Sequence, residues 1–206
     1  MLARDTILPD VLISTPQVHP DERGSFAEWF KTSEFIELTG YPFGVEQANV
    51  SVSREGVIRG LHFAELPPGQ AKWVHCAAGT ILDVIVDIRS GSPTFGKHTT
   101  VELSAENRKS VFVPDGFAHG FAAITDATVM YLTTAEYNPV VEHGINPFDP
   151  TLNIAWPAGM DILSEKDRFA PAFQDFVERE LLPDYETAVE TAAEMRALWA
   201  DAEDNA

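Results

Sequence analysis

The stretch Arg59-Gly60-Leu61-His62, with Lys72 ten residues beyond it, puts a guanidinium, an imidazole and an ammonium on what read as two neighbouring strands. Histidine titrates near neutral pH, so it can take a proton from carbon when a nearby group stabilises the charge left behind. A lysine ammonium is one such group. Two cations beside a candidate base point to an anionic substrate. The competing reading for His62 is a packed histidine in a β-core, and for Lys72 a surface lysine. Trp73 and Val74, which follow Lys72, favour a strand entering the core.

A second signal is Pro114-Asp115-Gly116-Phe117-Ala118-His119. A proline, a glycine two on and a histidine three further on resemble part of the second cupin motif, whose histidine is a ligand in metal-binding cupins. The first cupin motif asks for two histidines separated by one residue, with a glutamate nearby. Here Gly56 is followed by His62, Ala64 stands at the second histidine's place, and Glu65 is too close for the usual glutamate role. A divalent metal takes three or four protein ligands. The expectation is a cupin-like shell without metal.

These residues need a scaffold of short strands. Ile81-Leu82-Asp83-Val84-Ile85-Val86-Asp87-Ile88 is rich in β-branched residues and reads as a strand buried on most of both faces. Val101–Leu103, Val111–Val113 and Val129–Thr133 read as further strands, with turns at Ser90-Gly91-Ser92-Pro93 and Pro114-Asp115-Gly116. Such spacing predicts a β-sandwich or a barrel-like jelly roll. Thr32–Thr39 reads as a short helix with Ser33 as a candidate N-cap. A longer helix starts near Pro183-Asp184, with Tyr185, Val189, Ala192, Met195 and Trp199 on one face and acidic residues on the other. It reads as an amphipathic helix packed on the core or extending from it, with a solvated acidic face. The organisation is a domain over residues 1–180 and a C-terminal acidic helix over 181–206.

The chain has 206 residues, a formal net charge of −18, a 45% hydrophobic fraction and a single cysteine, Cys76. The length suits one domain with a real core, and the apolar fraction argues against disorder. An acidic field repels nucleic acid and anionic lipid, so any phosphate must be held by a local cluster of cations. One cysteine permits no intramolecular disulfide, and no basic-then-apolar leader or membrane-length apolar run is found. The expectation is a soluble cytoplasmic protein with no nucleic-acid or membrane partner.

The chain closely resembles the dTDP-4-dehydrorhamnose 3,5-epimerases, metal-free jelly rolls of the cupin type. The matching elements begin with Asp21-Glu22-Arg23-Gly24-Ser25-Phe26 and Glu28, Gln47-Ala48-Asn49, and Arg59-Gly60-Leu61-His62. They continue through Pro67-Pro68-Gly69-Gln70-Ala71-Lys72, Asp87 to Gly96, Leu103 to Asn107 and Gly116 to Phe121. Tyr131, Tyr137-Asn138-Pro139, Asp149-Pro150, Trp156 and Leu163-Ser164-Glu165-Lys166-Asp167 complete the set, in family order from about residue 9 to 171.

The resemblance implies His62 as general base, paired with Asp149, and Tyr131 as general acid on the opposite face of the sugar. It implies Lys72 as the group that stabilises an enolate at O4. Arg23, Phe26, Glu28, Gln47, Ala48, Asn49, Arg59, His119, Glu142 and Lys166 fall at positions that contact the substrate or its nucleotide diphosphate. It further implies a dTDP-sugar substrate, no cofactor and a homodimer built by sharing strands. Read without the resemblance, Asp149 before Pro150 also fits a turn, Tyr131 a packed strand tyrosine, and His119 a residue that only shapes the pocket.

The chemistry is coherent. A keto group at C4 acidifies the protons on C3 and C5, because each carbanion delocalises onto O4. Inversion needs removal of a proton on one face and its return on the other, with no redox step. Paired guanidinium bonds suit a diphosphate. Three positions depart from common family versions: Phe63 stands for tyrosine, His75 for arginine and Leu132 for lysine. The competing functions are a mono-epimerase at C3 or C5, a 3,4-ketoisomerase on a related shell, and a sugar-binding module without catalysis.

Overall fold

Runs of β-branched and aromatic residues broken by glycine and proline turns favour strands over helices. The computed structural model describes residues 1–205. Its strands are β1 (Leu2–Arg4), β2 (Leu12–Ser14), β3 (Val18–Asp21), β4 (Gly24–Ala27), β5 (Gln47–Ser53), β6 (Ile58–Ala64) and β7 (Lys72–Ala78). They continue with β8 (Thr80–Asp87), β9 (His98–Ser104), β10 (Ser110–Val113), β11 (Phe117–Ala123), β12 (Ala127–Thr133) and β13 (Glu142–Gly144). Helices are α1 (Thr32–Thr39), α2 (Glu165–Arg168), α3 (Phe173–Glu178) and α4 (Tyr185–Asp204).

The strands form a six-stranded sheet, β1-β2-β10-β7-β12-β5, and a five-stranded sheet, β13-β6-β11-β8-β9. The β3–β4 hairpin pairs only with itself. The large sheets face each other over a core that takes Val74, Val111, Val113 and Val129 from one and Ile81, Ile85, Leu103 and Phe121 from the other. This is the jelly-roll arrangement that the strand spacing predicts. The outer face of the five-stranded sheet is covered by the chain after β13, where Phe173 and Phe176 pack with Ile145 and Leu152 on Leu61, Phe63, Val84 and Val86. Phe35 of α1, with Phe43, covers the outer face of the other sheet at Leu12, Trp73 and Phe112. Burial on both sides explains why β8 carries apolar residues on both of its faces, at Ile81, Leu82, Val84, Ile85 and Val86.

Three expectations change. His62 on β6 and Lys72 on β7 lie not on neighbouring strands but on opposite sheets, facing each other across the sandwich. The N-cap of α1 is Lys31, with no side-chain cap, and Ser33 lies within the first turn. In α4 the cap is Asp184, which accepts from the Thr187 amide, yet no residue of that helix is fully buried. Val189 and Met195 of its apolar face remain exposed; Tyr185 lies over the Arg89 guanidinium at one end. Towards the other, Arg196 donates to the Thr39 carbonyl. The helix therefore leans on the core through these contacts and not through a full apolar stripe.

Candidate active site

The two sheets open at one end around a cavity of about 420 Å³. β5 and β12 supply Gln47, Asn49, Ser51 and Tyr131, and β7 supplies Lys72. β6 and β11 supply Arg59, His62 and His119 from the opposite sheet, and Glu142 comes from β13. The segment from Ile162 to Asp167 closes one side. It is zipped to the start of β6 by the Ile58 amide to the Ile162 carbonyl and the Ile162 amide to the Gly56 carbonyl. That zipper delivers Ser164, Lys166 and Asp167 to the cavity wall.

Close backbone approach sets the pattern on β6. A Cβ on Gly60 would stand 2.6 Å from Gly120 Cα and 2.8 Å from the His119 carbonyl oxygen, at φ +119, so only glycine fits. Here the β6–β11 register shifts: His119 opposes His62, but Phe121 opposes Arg59. Strict alternation would put residues three apart on opposite faces. The irregularity lets Arg59 and His62 line the same cavity.

Each of the two opposed histidines is held by a carboxylate from behind. His62 Nε2 lies 2.6 Å from Asp167 Oδ1, and His119 Nε2 lies 2.9 Å from Asp83 Oδ2. Both aspartates are buried. Burial pushes Asp167 up, but the His62 imidazole and the Ser164 hydroxyl outweigh it and hold the carboxyl below its ordinary range. Asp167 is thus an anion that accepts a hydrogen bond from His62 Nε2–H and leaves the His62 Nδ1 lone pair, without a partner among the described residues, as the basic atom.

The facing sheet carries Tyr131 and Lys72. Tyr131 opposes Val74 on β7, two residues from Lys72. Burial, then Glu142, raises the Tyr131 phenol, while Arg59 lowers it; the net result keeps the proton on. Lys72 is buried, and among the described residues its ammonium reaches only the Gln70 carbonyl, at 3.4 Å. Burial lowers its pKa, with Glu142 and Asp115 pulling the other way. Arg59 is aimed by bonds to Ser53 Oγ at 2.9 Å and to the Val52 carbonyl at 3.2 Å. Gln47 donates to Asn49 at 2.6 Å and accepts from the Tyr137 amide. The arrangement can remove a carbon-bound proton from one side, stabilise an oxyanion, and supply a proton from the other.

The sequence model of the dTDP-4-dehydrorhamnose 3,5-epimerase family matches residues 5–175. The chain belongs to this family. A dTDP-4-dehydrorhamnose 3,5-epimerase of Mycobacterium tuberculosis is 47% identical over 95% of this chain and 99% of the relative. A solved structure of the M. tuberculosis rmlC epimerase superposes with a TM-score of 0.92, at 47% identity, over 95% of this chain and 100% of that one. ChmJ, a 3'-monoepimerase of Streptomyces bikiniensis solved in complex with dTDP-quinovose, gives a TM-score of 0.91 at 40% identity, over 95% and 99% of the two chains.

Within this epimerase-family cavity the structure gathers most of the residues singled out from sequence: His62, Lys72, Tyr131, Gln47, Asn49, Arg59, His119, Glu142 and Lys166. Asp149 is a correction. Its Oδ1 accepts from the Thr151 amide and its Oδ2 from the Phe173 amide, each at 2.8 Å, so it ties a turn to the first residue of α3. Asp167, not Asp149, stands behind His62. Arg23, Phe26, Glu28 and Ala48 do not line the cavity of their own chain. Arg23 pairs with Asp21 on the free hairpin, Phe26 is 65% exposed beside it, and Glu28 bonds Lys31. Ala48 points from β5 to the outside of the sheet.

Sequence reasoning missed Asp167 and Asp83 as partners. Both left a trace. Ser164 three residues before Asp167 is an N-cap pattern, and the structure shows Ser164 accepting from the Asp167 amide. Asp83 is a carboxylate inside an apolar strand, and a buried charge requires a partner.

Proposed function

We propose that the chain is a cofactor-independent epimerase that converts dTDP-4-dehydro-6-deoxy-D-glucose to dTDP-4-dehydro-L-rhamnose, in the cytoplasm. The observation that carries the reading is His62 on one sheet, backed by Asp167 of α2, facing Lys72 and Tyr131 on the other sheet across a single cavity. His62 Nδ1 takes the proton from C3, the electron pair moves onto O4 as an enolate, and Asp167 stabilises the imidazolium that forms. The Lys72 ammonium stabilises the O4 charge in a dry site, where such a contact is worth several kcal/mol. Tyr131 then delivers its proton to the other face of the carbon, and proton exchange with solvent restores both groups. The same cycle at C5 completes the double inversion. Electrons are conserved within the sugar, so the step balances without an oxidant or reductant.

Arg59 and Lys166 supply local positive charge for the diphosphate in a chain of net charge −18, and Gln47 and Asn49 offer polar contacts on β5. The working unit we propose is a homodimer. The β3–β4 hairpin pairs with no other strand, and Val50 and Val52 project 64% and 72% exposed from the edge strand β5. A second copy would cover that apolar edge and bring the hairpin's Arg23 and Phe26 to a neighbouring cavity.

The test is incubation with the 4-keto sugar nucleotide in deuterated water, followed by NMR. Deuterium at both C3 and C5 with inversion is the expected outcome. Deuterium at one carbon only would replace this reading with a mono-epimerase, the activity named for ChmJ. No exchange would overturn it in favour of a binding module.

A further inference from the structure

Lys72 is an unusual enolate partner before any substrate arrives. It is buried, its one hydrogen bond is long, and among the described residues no carboxylate lies within 4.0 Å of its ammonium. Such an ammonium is held ready for an incoming oxyanion, but the same dryness favours loss of its proton. Two carboxylates face it from beyond contact distance. One is Glu142 on β13, itself tied to Gln70 Nε2 at 3.0 Å and lining the cavity. The other is Asp115, in the turn between β10 and β11, which does not line the cavity.

The topology explains why Asp115 is there. Val113, the last residue of β10, pairs with Lys72, the first residue of β7. The turn after β10 and the segment before β7 therefore lie against each other at one end of the sheet. Asp115 sits against Gly69: a Cβ on that glycine would come 2.5 Å from Asp115 Oδ1. The same Oδ1 is sealed from solvent and has no hydrogen-bond partner. A buried carboxylate oxygen without a partner is costly, and the Gln70 and Ala71 amides that act on this carboxyl do not satisfy Oδ1.

We propose that Asp115 is a positioning residue for the epimerase reaction, supplying from outside the cavity a negative charge that keeps Lys72 protonated and so able to stabilise the enolate. The inference rests on the proposed role of Lys72. Distance from the cavity matters: a carboxylate in direct contact would compete with the enolate for the ammonium, whereas Asp115 acts through the field alone. Burial pushes the Asp115 carboxyl up to about 6, with Lys72 and then the Gln70 and Ala71 amides pulling it back. Its charge is accordingly complete on the alkaline side, where Lys72 is at risk of losing its proton. Asp115 also faces the Tyr41 phenol, on which Arg196 and Asp10 act in turn.

The experiment compares the full chain with Asp115→Asn and Asp115→Glu, using lysine labelled with 13C at Cε and the Lys72 signal assigned by its loss in Lys72→Met. In Asp115→Asn the Lys72 midpoint should fall by about 1 unit, the lower end of the range for removing an opposite charge. The alkaline limb of the kcat profile should move with it, and Asp115→Glu should restore both. If the asparagine variant does not fold, Asp115→Ser removes the same charge and carries the same expectation. An unchanged Lys72 midpoint in the charge-removed variant would overturn the inference. So would a shift that Asp115→Glu fails to reverse. The NMR titration needs no turnover, so it can fail while deuterium exchange in the parent succeeds, and the reverse. The two outcomes separate this inference from the proposed activity.

Discussion

Asp167→Asn and Asp149→Asn test the site most sharply as a pair, because the two aspartates lie in the same covering segment and do opposite work. Asp167 meets His62 at 2.6 Å with its side chain 5% exposed, so water cannot easily take its place. A hydrogen bond to a charged group contributes about 1.5–3 kcal/mol. The imidazolium forms only as the carbon proton leaves, so the loss falls on the barrier. At 1.36 kcal/mol per tenfold this is about a 10- to 150-fold fall in kcat. An asparagine that turns its amide toward Nε2 would also force the wrong tautomer and deepen the loss. Asp149→Asn should leave kcat within about threefold, since the carboxylate bonds only backbone amides of Thr151 and Phe173. Its new amide would face one of those donors, leaving a buried N–H unpaired at about 1–3 kcal/mol. For a chain of this size each kcal/mol lowers Tm by about 2–4 °C. The assay is initial rates by NMR on the 4-keto sugar nucleotide, beside thermal unfolding. A folded Asp149→Asn variant that loses turnover while Asp167→Asn keeps it would refute the assignment of the base's partner.

Lys72→Met should separate activity from stability: it removes a buried, poorly partnered ammonium at nearly constant volume, so Tm should rise while kcat falls about 10³-fold. A variant that is less active and less stable to the same degree would point to a packing role instead. In Tyr131→Phe, His62 should still exchange protons with solvent, giving deuterium incorporation with retained configuration; inversion at the parent rate would remove Tyr131 as the acid. Acid stability follows from Asp167, whose folded-state pKa is depressed. Its ionised form contributes stability above its unfolded value of about 4, and that contribution is lost as pH falls through the lower folded value. Tm of the parent should therefore drop more steeply below about pH 4 than Tm of Asp167→Asn, and parallel curves would contradict this.

The strands were legible because burial leaves a direct mark. β8 carries five apolar residues among its eight since both of its faces are covered, and Pro114-Asp115-Gly116 stops β10 where the turn must form. That Arg59 and Lys72 face each other from opposite sheets was not legible. Proximity in sequence suggests neighbouring strands, while here the chain crosses from one sheet to the other between β6 and β7. The partner of His62 was missed for a related reason. Asp167 is 105 residues away and reaches β6 only because Ile162 pairs with the strand's first residues. Local chemistry nonetheless held a veto on Asp149. An aspartate before Pro150 and Thr151 sits in an Asx-turn context, and a carboxylate already accepting two backbone amides has little left to orient an imidazole.

The same logic applies to the residues that fit a ligand pattern but stand clear of the cavity. Arg23 and Phe26 sit on a hairpin with no other strand beside it, on a chain whose exposed edge carries Val50 and Val52. A hairpin with binding chemistry and an apolar edge strand, both without a neighbour among the described residues, can be answered by one partner. In the proposed homodimer a single event answers both, because the copy that covers the edge is also the one whose cavity the hairpin can enter.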